Sequence, residues 1–326
     1  MKIPSFSLAF LAGISLVTPA LAVIDIDYVT VGNAGNVADD STGYGSVSYT
    51  YNIGKYEVTN SQYSSFLNAA DPTGANANGI YNANMGSDAR GGITFTSGAA
   101  SGSKYTIRTS MGDKPVNYVS WYDAARFTNW LHNGQGSGST ETGAYELTGN
   151  TGLWTKNVGA TVWLPSEDEW YKAAYYDPTP GASGNNYWRY PTQSDTVPTV
   201  GTANTTGDIS NPGANVANYS FGADWNSQNG NLTTVGSAAA NNYFGTADQG
   251  GNVFEWNDAV ISGSSRGLRG GSWNLSATGL PASARSFVAP SFEDSYEGFR
   301  VASVPEPTSV VLTILASGLM FARRKR

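Results

Sequence analysis

Apolar side chains recur at Tyr63, Phe66 and Leu67 behind a polar Asn60, a spacing that predicts a short helix ending near Asn68, with Asn60 as its cap. The same period returns twice. Ser120 and Asp123 have the spacing of a capping box, so a second helix is predicted to about Leu131. Ser166 and Glu169 repeat that arrangement before a third helix, which turns Trp170, Ala173 and Ala174 inward and ends near Tyr176. Glu167, Asp168 and Glu169 crowd its first turn, where the helix dipole favours negative charge. Alternating or apolar runs predict strands at 46–51, 54–58, 161–165, 284–288 and 297–301, and a surface hairpin from 92–95 and 105–107.

Between these elements the chain is rich in turn residues. Residues 23–50 and 71–111 hold little apolar pattern, and 177–243 form a long polar stretch with five prolines. A loop of that length inside a compact domain needs pins, and Trp188, Tyr190, Tyr219, Phe221 and Trp225 are placed to supply them. Charged residues are 13% of the 326 and aromatic ones 12%, a mix suited to aromatic clusters tied by turns. That favours a loop-rich fold over a helical bundle, and nothing in the middle reads as a linker between two domains.

The two ends differ from the middle. Lys2, the apolar stretch Phe6–Val17 and Ala20-Leu21-Ala22 have the order of a cleavable signal peptide over residues 1–22. At the other end Pro305-Glu306-Pro307 precedes an apolar run, Ser309–Ala322, and a basic Arg323–Arg326. That order resembles the PEP-CTERM sorting signal of exported bacterial proteins. The resemblance implies an exosortase-type sorting partner and a short transmembrane helix within 304–326. As a helix the apolar run would be about 21 Å long, short of a ~30 Å hydrocarbon core, which suits a transient inner-membrane anchor. The domain body then spans 23–303 and lies outside the cell, at its surface or in the extracellular matrix.

Setting Lys2 and the four tail cations aside leaves 13 basic against 25 acidic residues, about −12. That charge speaks against nucleic acid or anionic lipid as a partner. There is no cysteine, so burial, hydrogen bonds or bound ions must hold the loops. His132, the only histidine, ends the second helix and reads as a solvated or capping imidazole.

The densest stretch is Phe244–Trp273, with GGNVFEW (250–256) and RGGSW (269–273). Glu255, between Phe254 and Trp256, needs a partner if buried, either a cation such as Arg269 or a metal ion. Structural ion pairs are expected for Arg269, Arg285 and Arg300. Together with GKYEVTNSQYSSFL (54–67), WLPSEDEW (163–170) and GFR (298–300), these runs resemble the formylglycine-generating enzyme, or sulfatase-modifying factor, family. The resemblance implies an α+β fold of the C-type-lectin-like kind, a single irregular, loop-rich domain with short antiparallel strands and a few helices. It also implies a copper-handling cysteine pair after RGGS, but Leu275 and Leu280 occupy the two matching positions. Without thiolates copper(I) has no soft ligands, and one histidine cannot build an iron facial triad, so neither copper nor iron is expected.

Calcium remains. By resemblance its ligands are the side chains of Asp248 and Glu255 with the carbonyls of Gly251 and Val253, and at a further site Asn218 and the Tyr219 carbonyl, all hard oxygens. Two functions follow. One is a non-catalytic binding or structural module that presents aromatic and amide groups to a glycan, peptide or matrix component. The other is a formylglycine-generating-type oxidoreductase with altered chemistry, acting on a sulfatase or another protein from a pocket at Phe254, Ser272 and Trp273.

Overall fold

A computed structural model describes residues 23–148, 154–179 and 186–305. The signal-peptide and sorting-tail expectations therefore lie almost wholly outside the described residues. The first half of the chain carries β1 (Tyr28–Val31), β2 (Tyr51–Gly54), α1 (Asn60–Ala70), α2 (Asn84–Ser87), β3 (Ile93–Phe95), β4 (Tyr105–Ile107) and α3 (Trp121–His132). The second half carries β5 (Val162–Trp163), α4 (Glu167–Tyr175), β6 (Thr199–Val200), β7 (Val216–Ala217), β8 (Phe254–Ile261), β9 (Ser265–Arg269), β10 (Ser286–Val288), β11 (Glu297–Gly298) and β12 (Ala302–Ser303).

The three longer helices start for one reason. Thr59, Ser120 and Ser166 each accept the backbone N–H three residues on, while Gln62, Asp123 and Glu169 reach back to the cap amide. Each reciprocal box satisfies two of the N–H groups a helix start leaves bare. The cap of α1 is thus Thr59, one residue before the expected Asn60. Asn60 is instead buried, its Nδ2 donating to the Met111 carbonyl at 2.9 Å, which ties α1 to the loop before α3.

Two four-stranded sheets organise the rest, in the orders β1-β2-β12-β5 and β10-β9-β8-β11. Most pairs are antiparallel, but β8 and β11 run parallel, with Glu255 level with Gly298. The core between α1, α3 and the sheets is aromatic: Phe66 meets Phe127 and Trp130 at ring distances of 5.4 and 5.3 Å, and Phe127 meets Phe299 at 5.4 Å. The strands expected at 46–51 and 54–58 are displaced: the chain pairs over Tyr51–Gly54, against the unexpected β1 and β12. The hairpin of β3 and β4 forms as expected, yet Ile93 and Tyr105 are buried, so it belongs to the core edge as much as to the surface.

The long stretch 177–243 is pinned by Tyr190, Tyr219 and Trp225, all buried. Phe221 is 44% exposed, and its N–H donates to the Trp273 carbonyl at 2.8 Å, so it ties the loop from the surface and not from the core. His132 Nδ1 meets the Thr161 hydroxyl at 2.8 Å and so joins α3 to the start of β5.

Candidate functional site

β8 carries Glu255 into the interior, where it is fully buried. Its partner is Arg300 rather than Arg269: Arg300 Nε donates to Oε2 at 2.5 Å and Nη2 to Oε1 at 2.6 Å. Trp170, on α4, adds an Nε1–H donated to Oε2 at 2.7 Å. The remaining guanidinium protons go to the carbonyls of Gly54, Lys55 and Ala247. A two-pronged pair with every donor satisfied is the geometry in which a buried charge is tolerated.

Two further acids adjoin it. Glu57 is 1% exposed, accepts from Asn252 Nδ2 at 3.2 Å and leaves Oε2 without a partner. Burial, with the Asp248 charge beside it, pushes its carboxyl well above the ordinary range. Asp248 sits at φ 59°, accepts from the Gly236 N–H, and is raised to about 6 by burial.

A second knot lies one turn of α4 away. Glu167 accepts Arg269 Nε at 2.8 Å and Arg285 Nε and Nη2 at 2.8 and 2.6 Å. Arg269 Nη1 donates to the carbonyls of Ala282 and Ala284. The acidic first turn of α4 is therefore more than a dipole match, since Glu167 anchors two arginines and Glu169 accepts from Trp163 Nε1 at 3.0 Å. All three arginines are in ion pairs, as their setting in the chain predicts.

The glycines of these runs are required by close approach. A Cβ on Gly251, at φ 87°, would stand 2.2 Å from the Asn218 carbonyl oxygen, and one on Gly270, at φ 94°, would stand 2.8 Å from that of Gln249. The same approach brings the two calcium candidates side by side: the Asn252 N–H donates to the Asn218 carbonyl at 2.8 Å. Glu255, with both oxygens on Arg300 and Trp170, has little left for an ion. Asn218 is different, because its Nδ2 is bonded to the Asn231 carbonyl at 2.8 Å while its Oδ1 is buried and unpartnered. An orphaned amide oxygen is a hard ligand of the kind such a cation takes. Among the described residues, no group of three or more His, Asp or Glu side chains is arranged to hold a metal.

Phe254, Ser272 and Trp273 do not pack as one unit. Phe254 rests on the main core, whereas Trp273 fills a separate cluster with Met111, Trp225, Leu232 and Val253. Ser272 is fully buried and donates to Asn274 Oδ1 at 2.7 Å. Over Trp273 lies the Arg90 guanidinium, 4.3 Å from the ring centroid, and Phe221 meets it edge-on at 5.5 Å. Leu280 is fully buried against Tyr190, Ala217 and Tyr219. Leu275 is half-buried, its carbonyl accepting the Ser220 N–H at 2.7 Å.

Sequence reasoning missed Glu57, Asn252 and Trp170 as members of the knot. The signal was present, since Glu57, Trp170 and Arg300 each lie in one of the runs shared with the family, but no spacing rule says that three separate runs meet at one carboxylate.

The fold is thus a mixed α+β domain of short strands, four helices among the described residues, and long pinned loops, with a buried ionic centre. Residues 32–304 match the sulfatase-modifying factor enzyme 1-like domain, and the chain belongs to that family. No curated protein matches it in sequence. Among solved structures it is similar to CarF, at 20% identity and a TM-score of 0.52 over 87% of this chain and 100% of that one. It is also similar to Treponema denticola variable protein 1, with 20% identity and a TM-score of 0.49 over 88% and 98% of the two chains. PvdO from Pseudomonas aeruginosa gives 18% identity and a TM-score of 0.43 over 86% and 92%. At such identities the CarF likeness speaks to the fold alone.

Proposed function

We propose that this sulfatase-modifying-factor-like domain is a non-catalytic binding or structural module, exported and sorted to the cell surface or matrix by its terminal signals. The observation that carries the reading is the fate of the shared runs. Glu167, Trp170, Glu255, Arg269 and Arg300 all lie in them, and all are committed to buried pairing that holds the fold. The positions at which the family resemblance implies reactive sulfur hold Leu275 and Leu280, and Leu280 is core. A scaffold can be retained while its chemistry is lost, because function belongs to the site and not the fold.

The ligand in this reading is a glycan, peptide or matrix component met by aromatic and amide groups on the loops, and calcium is a structural ion. The orphaned Asn218 Oδ1 with the Tyr219 carbonyl supports the calcium position more directly than Asp248, Gly251, Val253 and Glu255, where Arg300 already neutralises the glutamate. The ion would hold two loop segments together and supply no chemistry.

Incubation with copper and a sulfatase-derived peptide carrying the unmodified cysteine or serine tests the first claim. The expected product is unchanged peptide; formylglycine in it overturns the reading in favour of an enzyme with altered chemistry. Calorimetry with Ca²⁺ tests the second. Heat of binding and a raised melting temperature are expected, and their joint absence removes the ion.

A further inference from the structure

The last described strand, β12, lies inside a sheet, paired with β2 on one side and β5 on the other. The Val304 N–H still bonds to the Thr161 carbonyl at 3.1 Å, so the chain is clamped up to that point. Only Pro305–Thr308 then separate it from the apolar run that starts at Ser309. Fully extended, that connection spans at most about 17 Å. Whenever Ser309–Ala322 sits in a bilayer, the surface around Val304 is held within about 17 Å of its hydrocarbon boundary.

A cleft of about 340 Å³ opens at that surface, walled by Tyr49, Lys156, Trp163, Val304 and Pro305 among others. Val158, on the turn at its rim, is fully exposed, and Tyr49 and Val304 are each 45% exposed. Lys156 lies with Nζ 4.1 Å from the Trp163 ring centroid, a cation at the edge of an apolar concavity. An apolar tip and the ring of Tyr49 suit the headgroup zone of a membrane, although the Tyr49 hydroxyl donates inward to Glu169 Oε1 at 2.6 Å and Lys156 Nζ lies 4.0 Å from the same oxygen. A body of about −12 gives anionic lipid no long-range pull, so the tether and not charge brings the face down.

We infer that the cleft bounded by Tyr49, Lys156, Val158 and Val304 is the face this protein lays on a zwitterionic bilayer while its tail is anchored. The inference rests on the sorting-tail reading given above and adds the orientation of the body. The absence of cysteine makes the test simple, because a single introduced thiol is the only one to label. Val158→Cys and, on the edge strand of the other sheet, Phe287→Cys are each placed in the chain Val23–Arg326, labelled with an environment-sensitive fluorophore and mixed with phosphatidylcholine vesicles. Flotation reports the anchor, and quenching by headgroup-proximal spin-labelled lipid reports the face. Flotation of both, with at least twofold stronger quenching at Val158→Cys, is the expected result. Flotation with equal quenching, or with stronger quenching at Phe287→Cys, overturns the face while leaving the anchor intact. Failure of both to float shows that there is no tether, which removes the anchor reading and the inference with it.

Discussion

The segment Leu275–Leu280 lies between Arg269 and Arg285, two arms of the second ion-pair knot, yet the knots and the segment follow opposite rules. In the knots the chain keeps charges buried, at a desolvation cost repaid only by complete pairing. In the segment, where thiol chemistry is implied for relatives, it places aliphatic side chains and buries one of them fully. Charge is kept where it holds loops in register, and aliphatic bulk stands where the family resemblance implies thiols. On the proposed reading the shared runs transmit architecture.

That contrast can be attacked at its strongest point first. Arg300→Met leaves the Glu255 carboxylate buried with Trp170 as its only remaining partner, and is expected to lower unfolding free energy by about 3–5 kcal/mol in urea denaturation. Adding Glu255→Met should recover a large part of the loss, since two apolar groups no longer carry a stranded charge. A double variant no better than the single would mean that the pair is not what stabilises this region.

Leu280→Ala probes the other side and should cost about 2–5 kcal/mol, a cavity cost. A loss near zero would show that the leucine is not core and reopen the segment as a site.

Glu297 sharpens the comparison through pH. It is 1% exposed, neither oxygen has a partner at full hydrogen-bond geometry, and burial with the Asp294 charge pushes its carboxyl up to about 9. An acid raised from an ordinary value near 4.5 stays protonated when folded and loses its proton when unfolded. Stability should therefore be full below about 4.5 and fall as pH rises toward 9, by about 1.4 kcal/mol per unit from this group. Glu297→Gln mimics the neutral acid, so the variant's melting temperature should decline less steeply over that window; an unchanged slope would assign the dependence to other groups. The smallest effect is expected at Arg285, whose side chain is 32% exposed beside Glu167. Its change to Ala should cost no more than about 1 kcal/mol, and a larger loss would mean that the second knot is as unforgiving as the first.

Local order was legible and distant pairing was not. The helices of Ser120 and Ser166 could be placed from their capping boxes because such signals act over three or four residues. β1 could not, because Tyr28–Val31 becomes a strand only by meeting Tyr51–Gly54, and the pattern of residues 23–50 alone is that of turns. The need of Glu255 for a partner was readable from its neighbours. The choice of Arg300 over Arg269 was not, since Arg269 lies directly across the β8–β9 ladder and only the parallel placement of β11 brings Arg300 nearer. Phe221 and Trp225 look alike in sequence, four residues apart, yet Trp225 is buried with Nε1 bonded to the Leu232 carbonyl and Phe221 stands half in solvent.

The position of β12 has a temporal meaning. A chain synthesised amino end first has β2 and β5 available long before the strand that belongs between them, so the first sheet carries an open slot until the domain is almost complete. Both bare strand edges bordering that slot invite foreign partners until residues 302 and 303 arrive, and the domain seals itself only with nearly its last act of emergence.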